Sequence, residues 1–512
     1  MFVPCGEYMP DQPDYNNPGA GNVRNVIPVT TTSYAPLAGL SVFSANALDA
    51  RCQGAYATAD SSGNVYAFMG TANKLWQINN SGSFVDISNP TPYTLDAKGK
   101  WNFCLFNDRV IASNFTDPIQ GMLFGIATKF SNLSTGAPKA RYIAVIKNWL
   151  VTANTSDPTW GVQPQRVWWS GLGDPTNFPA PGSTLAVQNQ SDYQDLFGDH
   201  GWVQGIVGNL GSAHGAVFCE RAIWRMNYQG YPAIFSFEPA QGARGTPAPG
   251  SIVQLGSIVY YLGEDGFYMF DGSTATPIGT GKVDKTFYAD FDISYSDRVS
   301  AAVDPVNKLV FWAYPGAGHS GGNPNHLMIY NWALNRWAIA DVTCELIFRS
   351  QTFGFTLDGL DVFGYTMDTL PFSLDSRQWT NGKIIMSAID INHKLDYFNG
   401  ANLAPTVDTS ESELYPSLNF PYGQQPIIKD YRAMITNAKP IVDGGVPSIQ
   451  VGTRSRLIDS ITWSNAVAIN ALGDCPVRAT GRYVRGRITL PAGSTFTHIQ
   501  GLDVSAIPSG LR

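Results

Sequence analysis

From about residue 60 to 360 the chain alternates short apolar runs with polar reversals, and one unit recurs: an aromatic-rich run, a polar turn, then a second apolar run. Marked at Leu75 (LWQI), Val110 (VIAS), Val167 (VWWS), Ile223 (IWRM), Phe267 (FYMF) and Met328 (MIYN), its spacing is 35, 57, 56, 44 and 61 residues. Strand-rich repeats of roughly 40–50 residues predict propeller blades, each about four strands that need neighbours to cover both faces. RVIAS and LVFWAY are almost continuously apolar, as strands covered on both sides are. Asp304–Lys308 (DPVNK) and Asn331–Trp337 (NWALNRW) supply the Asp, Pro and Asn that tight reversals use.

The expected fold is therefore all-β. A β-propeller of six to seven irregular blades is placed over residues 41–365, preceded by an extended N-terminal arm over 1–40 that is rich in Pro, Gly and Asn. An additional β-rich, sandwich-like domain over 366–512 follows, able to return a strand to the propeller.

Composition supports this reading. Fifty-one Gly, 33 Pro and 12% aromatic residues favour short strands and tight turns over long helices. Only 14% of residues are charged, against about 25% in a typical soluble domain, so the surface is expected to be largely neutral and polar. The net charge of −7 is uneven: residues 420–512 hold ten Lys and Arg against five Asp and Glu, which leaves −12 on the rest. The two parts are electrostatically complementary.

The six cysteines are scattered without a C-x-x-C pair, so reduced structural thiols are expected rather than zinc or a disulfide framework. The first 21 residues lack a basic stretch followed by an apolar one, and YIAVIKNWLV is interrupted by Lys147 and Asn148. The product is expected to stay soluble in the cell that makes it, with no membrane insertion.

Candidate chemistry is sparse. Gly318-His319-Ser320-Gly321-Gly322 matches G-x-S-x-G, but a nucleophile elbow needs a helix after the serine, and GGNPNH followed by an apolar run reads as a hairpin loop. Nothing in the text ties His326, His393 or His498 to Ser320. Glu264 and Asp265 (GEDG) read as turn residues, although paired carboxylates across a propeller cavity would suit a glycosidase. In ADFDISYSD, alternation places Asp290, Asp292 and Ser294 on the outer face of a half-buried strand, an acidic face suited to a bore or an interface. SLDSRQW from Ser373 departs from the sialidase box, with Arg377 where Gly belongs. No phosphate-binding, dinucleotide-binding or H-E-x-x-H motif occurs, and no catalytic residue, cofactor or metal is expected. In GRYVRGRITL, Tyr483, Arg485 and Arg487 share a strand face; with Arg482 these arginines are candidates for a subunit interface or for phosphate contact.

A series of stretches carries a resemblance: WNFCLFNDRVIASNFTDPIQ, QRVWWSGLGDPTNF, GAVFCERAIWRMNYQG, LGEDGFYMFDG with PIGTGKVDKTF, IYNWALNRWAIAD, and GRYVRGRITLPAGSTFTHIQGLDV. In order and wording the series resembles the nozzle, or tail-hub, proteins of short-tailed bacteriophages, a family that includes proteins described as stabilising packaged DNA. The resemblance implies a non-enzymatic virion protein assembled as a ring of six copies beneath the portal and adaptor. It would meet tail fibre or spike proteins and let double-stranded DNA pass, after assembly in the host cytoplasm into the virion tail. A neutral to acidic bore suits that passage, because each phosphate neutralised by Lys or Arg adds affinity. The alternative reading is a propeller glycosidase or glycan-binding tail protein.

Overall fold

The computed structural model describes residues 1–13, 17–211, 214–240, 244–352, 383–413 and 432–509. Residue 365 and the segment from Ser373 to Trp379 lie outside the described residues. The chain is all-β and propeller-like. Seven groups of four antiparallel strands follow one another, and their first strands are Gly54–Ala59, Asn102–Phe106, Lys139–Ile146, Val203–Gly208, Val253–Leu255, Ser300–Asp304 and Leu346–Gln351. Each of the six aromatic anchors falls in a different group. First strands of successive groups touch from the first to the fourth and from the fifth round to the seventh, and the seventh touches the first. Between the fourth and fifth groups, the Gln254 side-chain amide donates to the Gly208 carbonyl at 2.7 Å.

Local chemistry explains the hairpins. The Asp304 carboxylate accepts from the Val306 and Asn307 backbone N–H groups at 2.9 and 3.2 Å. Lys308 then takes φ +60° to deliver the chain into Leu309–Tyr314, every residue of which is buried. Asn331 repeats the device on Ala333 and Leu334, at 3.0 and 3.1 Å, before Arg336–Asp341. Between groups the core is aromatic: Phe267 lies 4.8 Å from Trp312 and 5.0 Å from Trp337, centroid to centroid. Both indole N–H groups are satisfied, by the Ser251 and Ile278 carbonyls, so burying these rings leaves no polar atom stranded.

The N-terminal forty residues are woven through both halves of the molecule. Phe2–Pro4 pairs with Ile499–Pro508, and Val26–Pro28 and Tyr34–Pro36 join the same six-stranded sheet. Val23–Arg24 sits between Arg336–Asp341 and Thr406–Asp408, which merges the sixth group and the C-terminal strands into one eleven-stranded sheet. Ala38–Val42 supplies the outer strand of the seventh group, beside Leu395–Asn402. Val407, Ile449 and Ile488 of the eleven-stranded sheet and Ile435, Leu502 and Val504 of the six-stranded one share a single apolar cluster with the sixth group.

One local expectation is corrected. Asp290 and Asp292 do not lie on a strand: Asp284–Asp290 is a helix and Ile293–Arg298 a 3-10 helix. The apolar residues Val283, Phe287 and Phe291 recur every four positions and are all buried, and this helical spacing outweighs the short alternation read earlier. The helix has no cap from its own neighbours. Asp11, on the arm, takes that place, accepting from the Lys285 and Thr286 N–H groups at 2.8 Å each.

In the seventh group, Asp396 is 4% exposed and its Oδ1 has no hydrogen-bond partner. Burial, with Asp390 nearby, pushes its carboxyl up to about 7. A carboxyl whose folded value exceeds its unfolded one stabilises the fold below the unfolded value, and that contribution is lost as pH rises through about 7. Asp396→Asn is therefore expected to raise stability at pH 8 by roughly 2–4 kcal/mol and to leave it nearly unchanged at pH 4. Denaturant midpoints at the two pH values check this; equal shifts at both would contradict it. All six cysteines are free and buried.

Candidate functional site

Where the first strands begin, they converge on a cavity of about 250 Å³ at the centre of the seven groups. Every group contributes, and most of the residues that matter chemically stand just ahead of or at the start of a first strand: Arg51, Lys100, Gln204, Asp297 with Arg298, and Glu345, with Tyr142 midway along Lys139–Ile146.

Arg51, Lys100 and Arg298 bring three positive charges to this space. Arg51 donates to the Ala97 carbonyl and Lys100 to the Val299 carbonyl, each at 2.7 Å, and neither forms an ion pair among the described residues. Among the described residues Arg298 is held by its sequence neighbour Asp297, at 3.4 Å, and by a long 3.4 Å bond to Asn323. Burial first, then the charges of Arg51 and Arg298, hold the Lys100 ammonium down to about 8 against the pull of Asp297. Burial and Arg298 likewise lower Arg51, with Glu345 opposing.

Glu345 is committed elsewhere. One oxygen accepts from the Cys52 N–H at 2.8 Å and the other faces His393 Nδ1 at 2.7 Å. Burial raises its carboxyl, and those two partners oppose the rise. Tyr142 donates to Gln204, which donates in turn to Glu220. Gly250 closes one wall: a Cβ there would lie 1.9 Å from the Val299 carbonyl oxygen and 2.2 Å from Lys100 Nζ, so only glycine lets the lysine reach its acceptor.

The residues singled out in the sequence lie elsewhere. Ser320 is exposed on the loop joining Leu309–Tyr314 to His326–Asn331; a strand follows it, so it occupies no nucleophile elbow. Beside it, His319 Nε2 lies 3.0 Å from Asp292, and His326 Nδ1 lies 3.0 Å from Asp341. His498 faces Ser33 at 3.1 Å. Asp290 accepts from the Tyr314 hydroxyl and the Ala317 N–H, and Asp292 caps Ser294. Both carboxylates organise that loop. Glu264 and Asp265 occupy the hairpin before Phe267–Phe270, where Asp265 accepts from the Tyr268 hydroxyl at 2.8 Å.

The arginines of GRYVRGRITL do lie on one strand, Tyr483–Thr489, with Arg482 just before it. Their carboxylate partners come from the same chain. Arg487 grips Asp408 through two bonds of 2.7 and 2.9 Å and stacks 4.1 Å over Trp463; Arg485 reaches Glu411 at 3.2 Å; Arg482 reaches Glu413 at 3.6 Å. The cavity cations escaped sequence reading because they form no motif. Their one shared signal is position, a charged residue two or three places ahead of a first strand.

No protein-family model matches the chain, and no curated protein does. Among solved structures it is similar to a functionally unknown protein from Desulfotomaculum acetoxidans DSM 771, at 14% identity and TM-score 0.35 over 62% of this chain and 98% of that one. It is similar also to virginiamycin B lyase from Staphylococcus aureus, at 14% identity and TM-score 0.40 over 70% and 99% of the two chains. A third is the computationally designed Ika8 protein, at 9% identity and TM-score 0.35 over 71% and 99%.

Proposed function

We propose that the seven groups form a seven-bladed propeller sealed by Ala38–Val42, with the C-terminal strands as an attached β-sandwich, and that this unit is a wall segment of a phage tail nozzle. Six copies would stand in a ring beneath the portal and adaptor, bordered by tail fibre or spike proteins, and would retain packaged DNA in the virion tail until ejection. The observation that carries this reading is the merged eleven-stranded sheet: Val23–Arg24 locks the two halves together, so neither can swing when force passes along the tail. A cavity of about 250 Å³ cannot pass a duplex, so the bore runs between copies and not through one.

Surface features fit sister contacts. Trp160, Phe197 and Trp202 are exposed on loops of the third group and its exit to the fourth, all at the end where first strands begin. Exposed aromatic residues of this kind are the usual anchors of protein interfaces. In this reading Asp290 and Asp292 lie on the bore or interface side. Arg482, with 32% of its side chain exposed, is the most exposed of the three C-terminal arginines toward a neighbour or a phosphate.

The purified protein is expected to form closed rings by negative-stain microscopy or mass photometry, alone or on addition of portal. Phe197→Asp combined with Trp202→Asp should abolish the rings while circular dichroism stays native. A protein that remains monomeric and never enters particles would overturn the proposal.

A further inference from the structure

We infer that the central cavity binds a small phosphate-bearing anion, gripped by Arg51, Lys100 and Arg298. The inference concerns one chain and does not depend on the ring. Three cations from three separate blade entries meet in a half-closed space, and two of them form no ion pair among the described residues. The buried Arg298 Nε makes no hydrogen bond, only the 3.4 Å ion pair with Asp297. Proteins seldom gather like charges in a poorly hydrated space without a counter-charge, because each raises the cost of the others.

The negative groups of the cavity offset only part of this charge: Asp297 favours the charged forms of Lys100 and Arg51, and Glu345 that of Arg51, so two carboxylates face three cations. Glu345 is taken by Cys52 and His393, and among the described residues Asp297 forms its ion pair with Arg298, at 3.4 Å. An incoming oxyanion would accept from the lysine and from two planar guanidinium forks, donors that suit its several oxygens. Size limits the ligand. A water claims about 30 Å³ of liquid volume, so a cavity of about 250 Å³ holds a phosphate with a short organic group and a few waters but no oligonucleotide. Trp101 and Phe348 on the wall give such a group an apolar surface.

Isothermal titration calorimetry on the full chain, in a zwitterionic buffer at low salt, tests this with inorganic phosphate and with glycerol 3-phosphate. Saturable one-to-one binding of at least one of them is expected. Tighter binding of the ester would identify an organic phosphate, and equal or weaker binding would identify phosphate itself. Lys100→Met and Arg298→Met should each weaken binding by roughly tenfold or more. Lys98→Met, which removes the same charge from an exposed site, should leave it unchanged. Removing one member of a crowded cationic set should not unfold the protein, and an unchanged circular dichroism spectrum verifies that. Absence of saturable binding for both ligands would overturn the inference, as would affinity that survives in both cavity variants.

Discussion

A chain lacking residues 1–42 is expected to lose its cooperative thermal transition and its near-ultraviolet dichroism. The deleted segment carries Val3, Tyr8, Val23, Val26, Tyr34 and Leu37, all buried. At about 1.5–3 kcal/mol for each large side chain removed from water, these alone approach the 5–15 kcal/mol by which a typical fold is stable. The loss continues beyond apolar area. Arg336, 4% exposed, donates to the Thr30 and Gly6 carbonyls and the Tyr34 hydroxyl, all on the deleted segment. A buried guanidinium stripped of these acceptors adds about 3–5 kcal/mol more. Leu395–Asn402 would become a bare edge and the helix Asp284–Asp290 would lose its cap. Adding residues 1–42 as a separate peptide should restore part of the transition. A truncated chain that melts within a few degrees of the intact one would show that the arm decorates a finished fold.

Replacing Arg487 by leucine is the second large expected effect, a loss of about 3–5 kcal/mol at pH 7. Asp408, 1% exposed, would keep its charge in the interior without its two-pronged partner. Burial already raises the Asp408 carboxyl, with Arg487 opposing the rise. Without the arginine the carboxyl climbs further, so the defect should shrink as pH falls and the group takes up its proton. Adding Asp408→Asn should recover most of the loss, because the stranded charge and not the missing contact causes it. Urea midpoints for the two single variants and the double decide the matter. A single-variant cost below about 1 kcal/mol would mean that water reaches the pair and screens it.

How much of this was legible depended on whether the signal was local. The aromatic anchors, the doubly covered runs and the Asp304 and Asn331 reversals are written within a few residues of where they act, and the strands and hairpins follow from them. For the helix Asp284–Asp290 two local patterns compete, the four-residue spacing of Val283, Phe287 and Phe291 and a short polar alternation, and the cap that favours the first is Asp11, some 270 positions away. Ala38–Val42 could not be assigned to the seventh group for the same reason: no periodicity states which distant edge a strand will meet. The complementarity of an acidic body and a basic end was visible in the charge count. Its partners were not, since pairing Asp408, Glu411 and Glu413 with Arg487, Arg485 and Arg482 requires knowing which strands are neighbours. The cavity cations are the extreme case. Arg51, Lys100 and Arg298 stand far apart in the text and become one feature only when the groups close around them.

The pairing of Phe2 with Asp503, and of Ala38–Val42 with Leu395–Asn402, has a consequence for synthesis. At about 5–20 residues per second, an emerging N-terminus waits tens of seconds for the partners that will cover its edges. Until then its unpaired backbone is exposed to chaperones, and a ribosome that stalls early releases a product with no stable resting form. Folding therefore discriminates polypeptides carrying both partner segments from fragments that carry only the first.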